Sequence, residues 1–435
     1  MVVFNCNTKC SKICYRNIKQ FEIEGNCKMI FREKNLCVVG LFLLVFLTSS
    51  FTVTCDAISS GTTVLLWMIL LIMSVFANRF LQKKVFAIYI VIVCLYIAST
   101  IVNKQDLVVQ MKILFGITVA MIFVNAFDNK EIKNAFVNII FAISVISIPL
   151  YFISITVPSI FAFSYTPGTS GRAFYNLFFY GYMIGSNRNS GLFWEPGAYA
   201  TFLNLGLFLM LNDNSLEIER KYTKLIVFLI ALLTTFSTAG FGTFALILII
   251  YLANNEVSKR QKVLITICIV ILVVISLGYY YEEIFISGNG VFGKLKFYRE
   301  HMNYYSSGET TSSTSVRIYS VLKPLEVFLE NPIFGVGNSN LQSMTVAYTK
   351  GAITCTFVNW FAINGFLYGF LIILGYIKLI NSSNKTRIVK ILTFVFVLVA
   401  IAAEDYSQNP LFLGISIMGY KSRFYNDMGK EVKIK

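Results

Sequence analysis

Long apolar runs constrain this chain more than any other feature of its sequence. A helix needs roughly 20 apolar residues to cross the hydrocarbon layer of a bilayer, and fewer if its ends snorkel. Apolar residues make up 56% of the 435 residues and charged residues only 14%, whereas ordinary globular domains carry roughly 25% charged residues. We therefore predict an all-α polytopic membrane protein with about twelve spans, near residues 36–55, 62–77, 85–102, 107–127, 135–157, 192–211, 223–238, 240–253, 263–282, 354–377, 388–403 and 410–420.

The short pair of runs at 223–253 has two interpretations. Only Ser237–Gly240 joins the two runs, so they form either a tight hairpin or one long broken helix. We favour the hairpin because Gly240 and Gly242 supply the conformational freedom of a turn and because both flanks are basic.

Basic residues are distributed unevenly between the predicted loops. With a cytoplasmic N-terminus, 27 of the 37 Lys and Arg residues fall in segments on the cytoplasmic side, as expected from the positive-inside rule. The net charge of +15 is then explained by topology and by contact with anionic lipid headgroups. No basic cluster lies on a soluble module, so we expect no nucleic-acid partner. Both termini are predicted to be cytoplasmic.

Two long outer loops divide the chain and concentrate its non-membrane residues on the side away from the cytoplasm. No glycine-rich phosphate-binding motif is found in the inner loops, which argues against an enzyme that uses cytoplasmic nucleotides. The expected order is a cytoplasmic tail (1–35), spans 1–5 (36–157), the first outer loop (158–191), spans 6–9 (192–282), the second outer loop (283–353), spans 10–12 (354–420) and a cytoplasmic tail (421–435).

The first outer loop ends in the sequence RNSGLFWEPG, residues 188–197. It places Arg188 and Glu195 together at the mouth of a membrane helix. Glu195 beside Pro196 is compatible with ordinary helix-start chemistry, because a carboxylate is favourable near the helix N-terminus, and equally with a functional role. For Arg188 we favour a function, because an outer arginine runs against the orientation rule.

The second outer loop contains an amphipathic stretch near 315–330 with apolar residues at helical spacing. Arg317 falls in its first turn, where the helix dipole disfavours a cation. An anionic partner would explain this placement, and so would contact with lipid phosphates. Gly335 and Gly337 follow, and they form either an anion-binding nest of backbone N–H groups or a simple turn.

Other ionisable residues of the outer side are less informative. His301 is the only histidine of the chain and is either a general base or an incidental loop residue. Glu404 and Asp405 lie at an outer helix end, where they either line the same cavity or are simply solvated. Lys112 enters a span close to its outer end, and we expect it to snorkel.

Taken together, these stretches resemble the bacterial O-antigen polymerase (Wzy-type) and O-antigen ligase superfamily. The matching residues cover roughly the C-terminal half of the chain, and the N-terminal half is similar only in its hydropathy. They are Arg188–Pro196, Thr235–Gly240, Arg317, Pro332–Gly337 and Asn359–Gly369.

The resemblance implies a glycosyltransferase of the polytopic GT-C type in the bacterial inner membrane, with its active site facing the periplasm. Its substrates would be oligosaccharide repeat units linked to undecaprenyl pyrophosphate, and neither a nucleotide sugar nor another cofactor would be needed. A polymerase of this family moves the growing glycan from its lipid carrier onto the next lipid-linked repeat unit, in pathways such as lipopolysaccharide synthesis. A separate chain-length regulator is a further implied partner.

The resemblance also assigns roles to residues. Arg188 and Arg317 match the arginine positions of the family, and guanidinium groups can stabilise a pyrophosphate leaving group without a metal. Glu195 and His301 are the candidates for the base that takes the acceptor hydroxyl proton. The full substrate-binding set is Arg172, Arg188, Arg317, Gly335, Gly337 and Asn359.

Three functions remain open. Ligases of the family carry a histidine-asparagine pair at the helix after the second loop, whereas the corresponding stretch here is Phe357–Trp360, with Asn359 but no histidine. This difference favours a polymerase over a ligase. A lipid-linked oligosaccharide flippase is the alternative from another class, but flippases usually place ionisable groups near the bilayer midplane and often contain internal repeats.

Overall fold

The computed structural model describes residues 35–43, 60–76, 82–167, 173–177, 180–184, 187–213, 216–254, 313–349 and 353–431, together with 258, 260 and 263. Most of these residues are helical, which confirms the helical class predicted from composition. Three helices in the described part are long and apolar enough to cross a membrane: Lys83–Val102, Leu107–Ala126 and Asn129–Thr156. Twelve spans and cytoplasmic termini stay predictions, and most of the predicted span 263–282 lies outside the described residues.

Besides a helical segment at 35–43, thirteen α-helices are present in the described part. They are α1 (Ser60–Phe76), α2 (Lys83–Val102), α3 (Leu107–Ala126), α4 (Asn129–Thr156), α5 (Pro196–Asn212), α6 (Lys221–Thr234), α7 (Thr238–Ala253), α8 (Ser313–Glu330), α9 (Asn338–Thr349), α10 (Thr356–Asn364), α11 (Phe366–Asn381), α12 (Arg387–Ala402) and α13 (Pro410–Glu431).

Polar caps begin several of the apolar helices. The Asp106 carboxylate accepts a hydrogen bond from Val108 N at 2.9 Å at the start of α3, and the Ser237 hydroxyl accepts one from Gly240 N at 3.1 Å at the start of α7. These bonds satisfy N–H groups that have no partner inside the helix. The caps therefore set where the apolar helices begin.

The run 354–377, predicted as one span, is two helices. The chain breaks between α10 and α11 at Gly365, which has a φ of +83°. A Cβ at this position would lie 2.0 Å from the carbonyl oxygen of Ile333, so only glycine allows the approach of the two backbones. The break was missed because hydropathy is continuous through it.

At 223–253 the chain forms two helices, α6 and α7, with a short break between them. The carbonyl of Thr234, at the end of α6, accepts a hydrogen bond from Asn189 N. The carbonyl of Gly240, near the start of α7, accepts one from the side-chain amide of Asn204 on α5 at 2.8 Å. Phe236 lies in the turn with a φ of +46°. The two apolar runs are therefore separate helices that each pack against α5, and the hairpin between them stays a prediction.

The first outer loop contains strands that the all-α prediction did not include. A 3₁₀ helix (Pro158–Ser164) leads into an antiparallel sheet in the order β1 (Tyr165–Pro167), β2 (Ala173–Asn176) and β3 (Gly181–Met183). Tyr175 and Tyr182 stack with their ring planes 6° apart. The hydroxyl of Tyr180 and that of Ser154 on α4 are hydrogen-bonded at 2.9 Å, which ties this loop to the helix end.

Loops that were predicted on the same side of the membrane contact one another. On the outer side, the hydroxyl of Ser99 donates to the carbonyl of Phe334 at 2.7 Å. On the inner side, Lys133 forms an ion pair with Asp213 at 2.7 Å. A cavity of about 740 Å³ also opens among the loops of the predicted inner side, where Lys224 is among its lining residues.

Candidate active site

Glu195 occupies the N-cap position of α5, and Pro196 is the first helical residue. Pro196 is well suited to this position because its missing N–H would have no partner there. The Glu195 side chain does not cap its own helix. It turns toward Gly197, so that its Oε1 atom lies 2.8 Å from where a Cβ on that glycine would be.

The segment before α5 is hydrogen-bonded to the end of α6 and to the turn that follows it. Asn189 is fully buried and donates through both its backbone N and its Nδ2 atom to Thr234, each at 2.9 Å. The neighbouring Arg188 donates from Nε to the carbonyl of Thr235 at 2.9 Å. This bond uses the Nε atom, and the charge of the same guanidinium group interacts with Glu195.

Glu404 reaches the same place from the link between α12 and α13. The hydroxyl of Thr356, at the start of α10, donates to the Glu404 carbonyl at 2.6 Å and accepts from Tyr406 N at 2.7 Å. The Tyr406 ring stacks on Phe412 with ring centroids 4.1 Å apart. These contacts fix the link where a carboxylate enters the protein interior.

The carboxyl groups of Glu195 and Glu404 form a pair above Gly197. Glu404 Oε1 lies 3.3 Å from the same virtual Cβ position that Glu195 Oε1 approaches, and the two side chains are within hydrogen-bonding reach of each other. Glu404 is only 7% exposed. Its second oxygen, Oε2, accepts a hydrogen bond from Trp194 Nε1 at 3.4 Å.

Arg317 completes the cluster from α8, where its side chain is exposed. Its Nη1 atom donates to the carbonyl of Ala403 at 3.4 Å, directly before Glu404. The charge of Arg188 interacts with those of Glu195 and Arg317, and Glu195 and Arg317 also interact with Glu404. Residues from four separate parts of the chain are therefore brought together, and we refer to Arg188, Glu195, Arg317 and Glu404 as the charged cluster.

Burial and neighbouring charges change the protonation of this cluster. Burial raises the pKa of Glu404 well above its usual range, and the hydrogen bond and charge of Glu195 act in the same direction, while Arg317 opposes them. Burial lowers the pKa of Arg188, Glu195 opposes this shift and Arg317 adds to it. Arginine stays protonated despite such a shift, so the cluster presents two cations beside a carboxyl pair.

Asn359 is fully buried on α10, one turn after Thr356. Neither of its side-chain amide atoms has a hydrogen-bond partner within the described residues. A buried amide without partners is costly in an apolar environment. Its predicted role in substrate binding stays a prediction, because no recorded contact joins it to the charged cluster.

Gly335 and Gly337 have positive φ angles of 64° and 78°. Their N–H groups donate to the carbonyls of Asn331 and Ile363, each at 3.0 Å. An anion nest needs free N–H groups, and here these donors are already used within the protein. The arrangement is that of a structural turn, which attaches this loop to the break between α10 and α11.

Two predicted site residues, Arg172 and His301, lie outside the described residues. Within the part of the chain that the structure describes, no group of three or more His, Cys, Asp or Glu residues could hold a metal ion. The sequence singled out Arg188, Glu195 and Arg317, and the structure brings these three together. What the sequence left open was Glu404, whose only signal was its position at an outer helix end.

A family model described as O-antigen ligase matches residues 224–366. The match runs from α6 to the start of α11 and confirms, over this segment, the resemblance that the motifs indicated. It contains Arg317 and Asn359, whereas Arg188, Glu195 and Glu404 lie outside it. No curated protein matches the chain.

Proposed function

We propose that the protein is a glycosyltransferase that moves a glycan from a lipid pyrophosphate carrier onto an acceptor at the outer face of the membrane. One observation carries this proposal: two arginines and a carboxyl pair from separate parts of the chain meet at the start of α5. The match of residues 224–366 to the O-antigen ligase model supports a glycan linked to undecaprenyl pyrophosphate as the donor.

The charged cluster suits this reaction. When the bond between the sugar and the phosphate breaks, negative charge develops on the pyrophosphate, and the planar guanidinium groups of Arg188 and Arg317 can stabilise it through paired hydrogen bonds. The acceptor hydroxyl loses a proton as its oxygen attacks. Glu195 is half-buried beside Arg188, so its carboxylate is placed to accept that proton.

Within this class we favour the polymerase, which would add the growing chain to the next lipid-linked repeat unit on the periplasmic side of the inner membrane. The sequence before Asn359 supports this choice, because the histidine of the ligase pattern is absent. The ligase is the second candidate, since the matching family model carries that description. A separate chain-length regulator would be a partner of the polymerase.

A deletion strain distinguishes these functions. Loss of a polymerase leaves surface lipid capped with a single repeat unit, and this is the expected result. Loss of a ligase instead strands long polymer on undecaprenyl pyrophosphate, and loss of a flippase traps single units on the carrier inside the cell. Normal long chains in the deletion strain would contradict all three functions.

A further inference from the structure

Glu404 has an unsatisfied oxygen in a buried position. Its Oε2 atom accepts from Trp194, but its Oε1 atom has no hydrogen-bond donor within the described part of the chain. This oxygen points toward Glu195, because both Oε1 atoms approach the same point above Gly197. A buried carboxylate oxygen without a donor is strongly disfavoured.

Two ionised carboxylates cannot hydrogen-bond to each other, and two negative charges within hydrogen-bonding reach repel each other. A single proton between them removes the repulsion and supplies the missing hydrogen bond, as in other paired carboxyl sites. Burial decides which group holds it, because Glu404 is 7% exposed whereas Glu195 is only half-buried. Glu404 is therefore the group that is better kept neutral.

We propose that Glu404 is the positioning residue of the charged cluster: it holds a proton that it donates to Glu195, so that the pair carries one negative charge. Glu195 then has one oxygen fixed by this hydrogen bond and the other free to accept a proton. This inference deepens the proposed function and rests on it, and it gives the site a general base without a histidine.

The transfer step balances with this assignment. The acceptor oxygen forms a bond to the anomeric carbon, while the bond from that carbon to the phosphate oxygen breaks and the pyrophosphate leaves with the electron pair. The proton of the acceptor hydroxyl passes to the free oxygen of Glu195. The proton on Glu404 stays in the pair, and the pair releases one proton to water before the next transfer.

The groups around Glu404 are consistent with one proton in the pair. Glu195 faces it from the start of α5, and Arg317 faces it from α8. Arg188 acts on Glu195 and Arg317 rather than on Glu404 directly. The remaining neighbours are uncharged or point elsewhere: Trp194 donates to Oε2, Tyr406 is a buried phenol, and exposed Asp405 accepts from Ser407 N.

The first test detects the proton itself and does not depend on activity. Infrared spectra of the full-length protein in lipid nanodiscs should contain a protonated carboxyl band at neutral pH. The band should disappear in Glu404→Gln and persist in Asp405→Asn, the exposed neighbour. Absence of the band from the wild type, as would follow if a cation bridged the two carboxylates, would overturn the proposal.

The second test uses the pH profile of glycan transfer. The raised pKa of Glu404 means that its proton is present below that pKa and is lost as the pH rises through it, so wild-type activity falls on the alkaline side. Glu404→Gln keeps an N–H donor that cannot titrate. We expect it to retain activity within about tenfold of the wild type but to lose the alkaline fall, whereas Glu195→Gln should lower the rate about 100-fold or more.

The outcomes separate this inference from the proposed function. If the wild type transfers glycan but Glu404→Gln has an unchanged pH profile, or is folded and inactive, the inference is wrong and the function stands. If the wild type releases no lipid pyrophosphate from any donor, the proposed function is wrong, and the infrared band still decides whether the pair shares a proton.

Discussion

At the scale of single residues, the candidate site depends on the carboxyl group of Glu195 at the N-terminus of helix α5. Negative charge is favourable at a helix N-terminus because the backbone dipoles leave positive charge there. Glu195 sits at this position without capping its own helix, and the absence of a side chain on Gly197 makes room for the second carboxyl group. The start of α5 thus helps to hold a carboxyl pair of net charge −1.

Gly197→Ala tests this arrangement without changing any charge. The added methyl would lie 2.8 Å from Glu195 Oε1 and 3.3 Å from Glu404 Oε1, so the pair has to separate. Alanine is otherwise a good helix former, and we expect folding to be retained while glycan transfer falls about tenfold or more.

Gly242→Ala is the matched control, because a Cβ there would have no atom within 4 Å. It should leave both transfer and thermal unfolding unchanged. If Gly197→Ala were as active as this control, the carboxyl pair would have no part in the reaction.

At the scale of secondary-structure elements, short links position the site, and the apolar helices serve as their support. The link between α12 and α13 carries Glu404, and it is held by one hydroxyl group at the start of α10. Thr356 both donates to Glu404 O and accepts from Tyr406 N, so a single side chain satisfies two buried backbone groups.

Thr356→Val should therefore destabilise the protein although the two side chains have nearly the same shape. The carbonyl of Glu404 and the N–H of Tyr406 lose their partner, at a cost of about 1–3 kcal/mol for each buried group left unsatisfied. Thermal unfolding in detergent measures the effect. Thr356→Ser keeps the hydroxyl and should stay close to the wild type, and equal stability of the Val and Ser variants would contradict this role.

The helices also show which parts of the structure could be predicted from the sequence and which could not. Hydropathy located the long apolar helices, because a membrane helix has to be apolar along its length, but not α9, which lies in the predicted second outer loop. Loop position singled out Arg188 and Arg317. Hydropathy could not find the break at Gly365, which depends on a contact with Ile333. Nor could it pair Glu195 with Glu404, because their contact arises only when helices far apart in the chain pack together.

At the scale of the whole molecule, the predicted sidedness places the charged cluster on the outer face and the ion pairs of Lys130 and Lys133 on the inner face. Contacts within each set join loops that were assigned to the same side by the distribution of Lys and Arg. The topology can therefore be tested with one position from each set.

Cysteine labelling with a membrane-impermeant maleimide is suited to this test, in a background from which the nine native cysteines have been removed. Asp405→Cys should be labelled in intact spheroplasts, because Asp405 is exposed beside the cluster. Glu217→Cys, at a side chain that is 91% exposed, should be labelled only after permeabilisation. The reverse pattern would invert the topology and exclude a periplasmic active site.

The central claim is that the charged cluster stabilises a leaving pyrophosphate, and the rate of transfer from a purified lipid-pyrophosphate-linked glycan by Arg317→Lys tests it most directly. Lysine keeps the charge but loses the planar paired donors, so we predict a fall of roughly 100-fold, with Arg387→Lys, on exposed Arg387 at the start of α12, as the unaffected control. Wild-type transfer by a folded Arg317→Lys variant would contradict the claim.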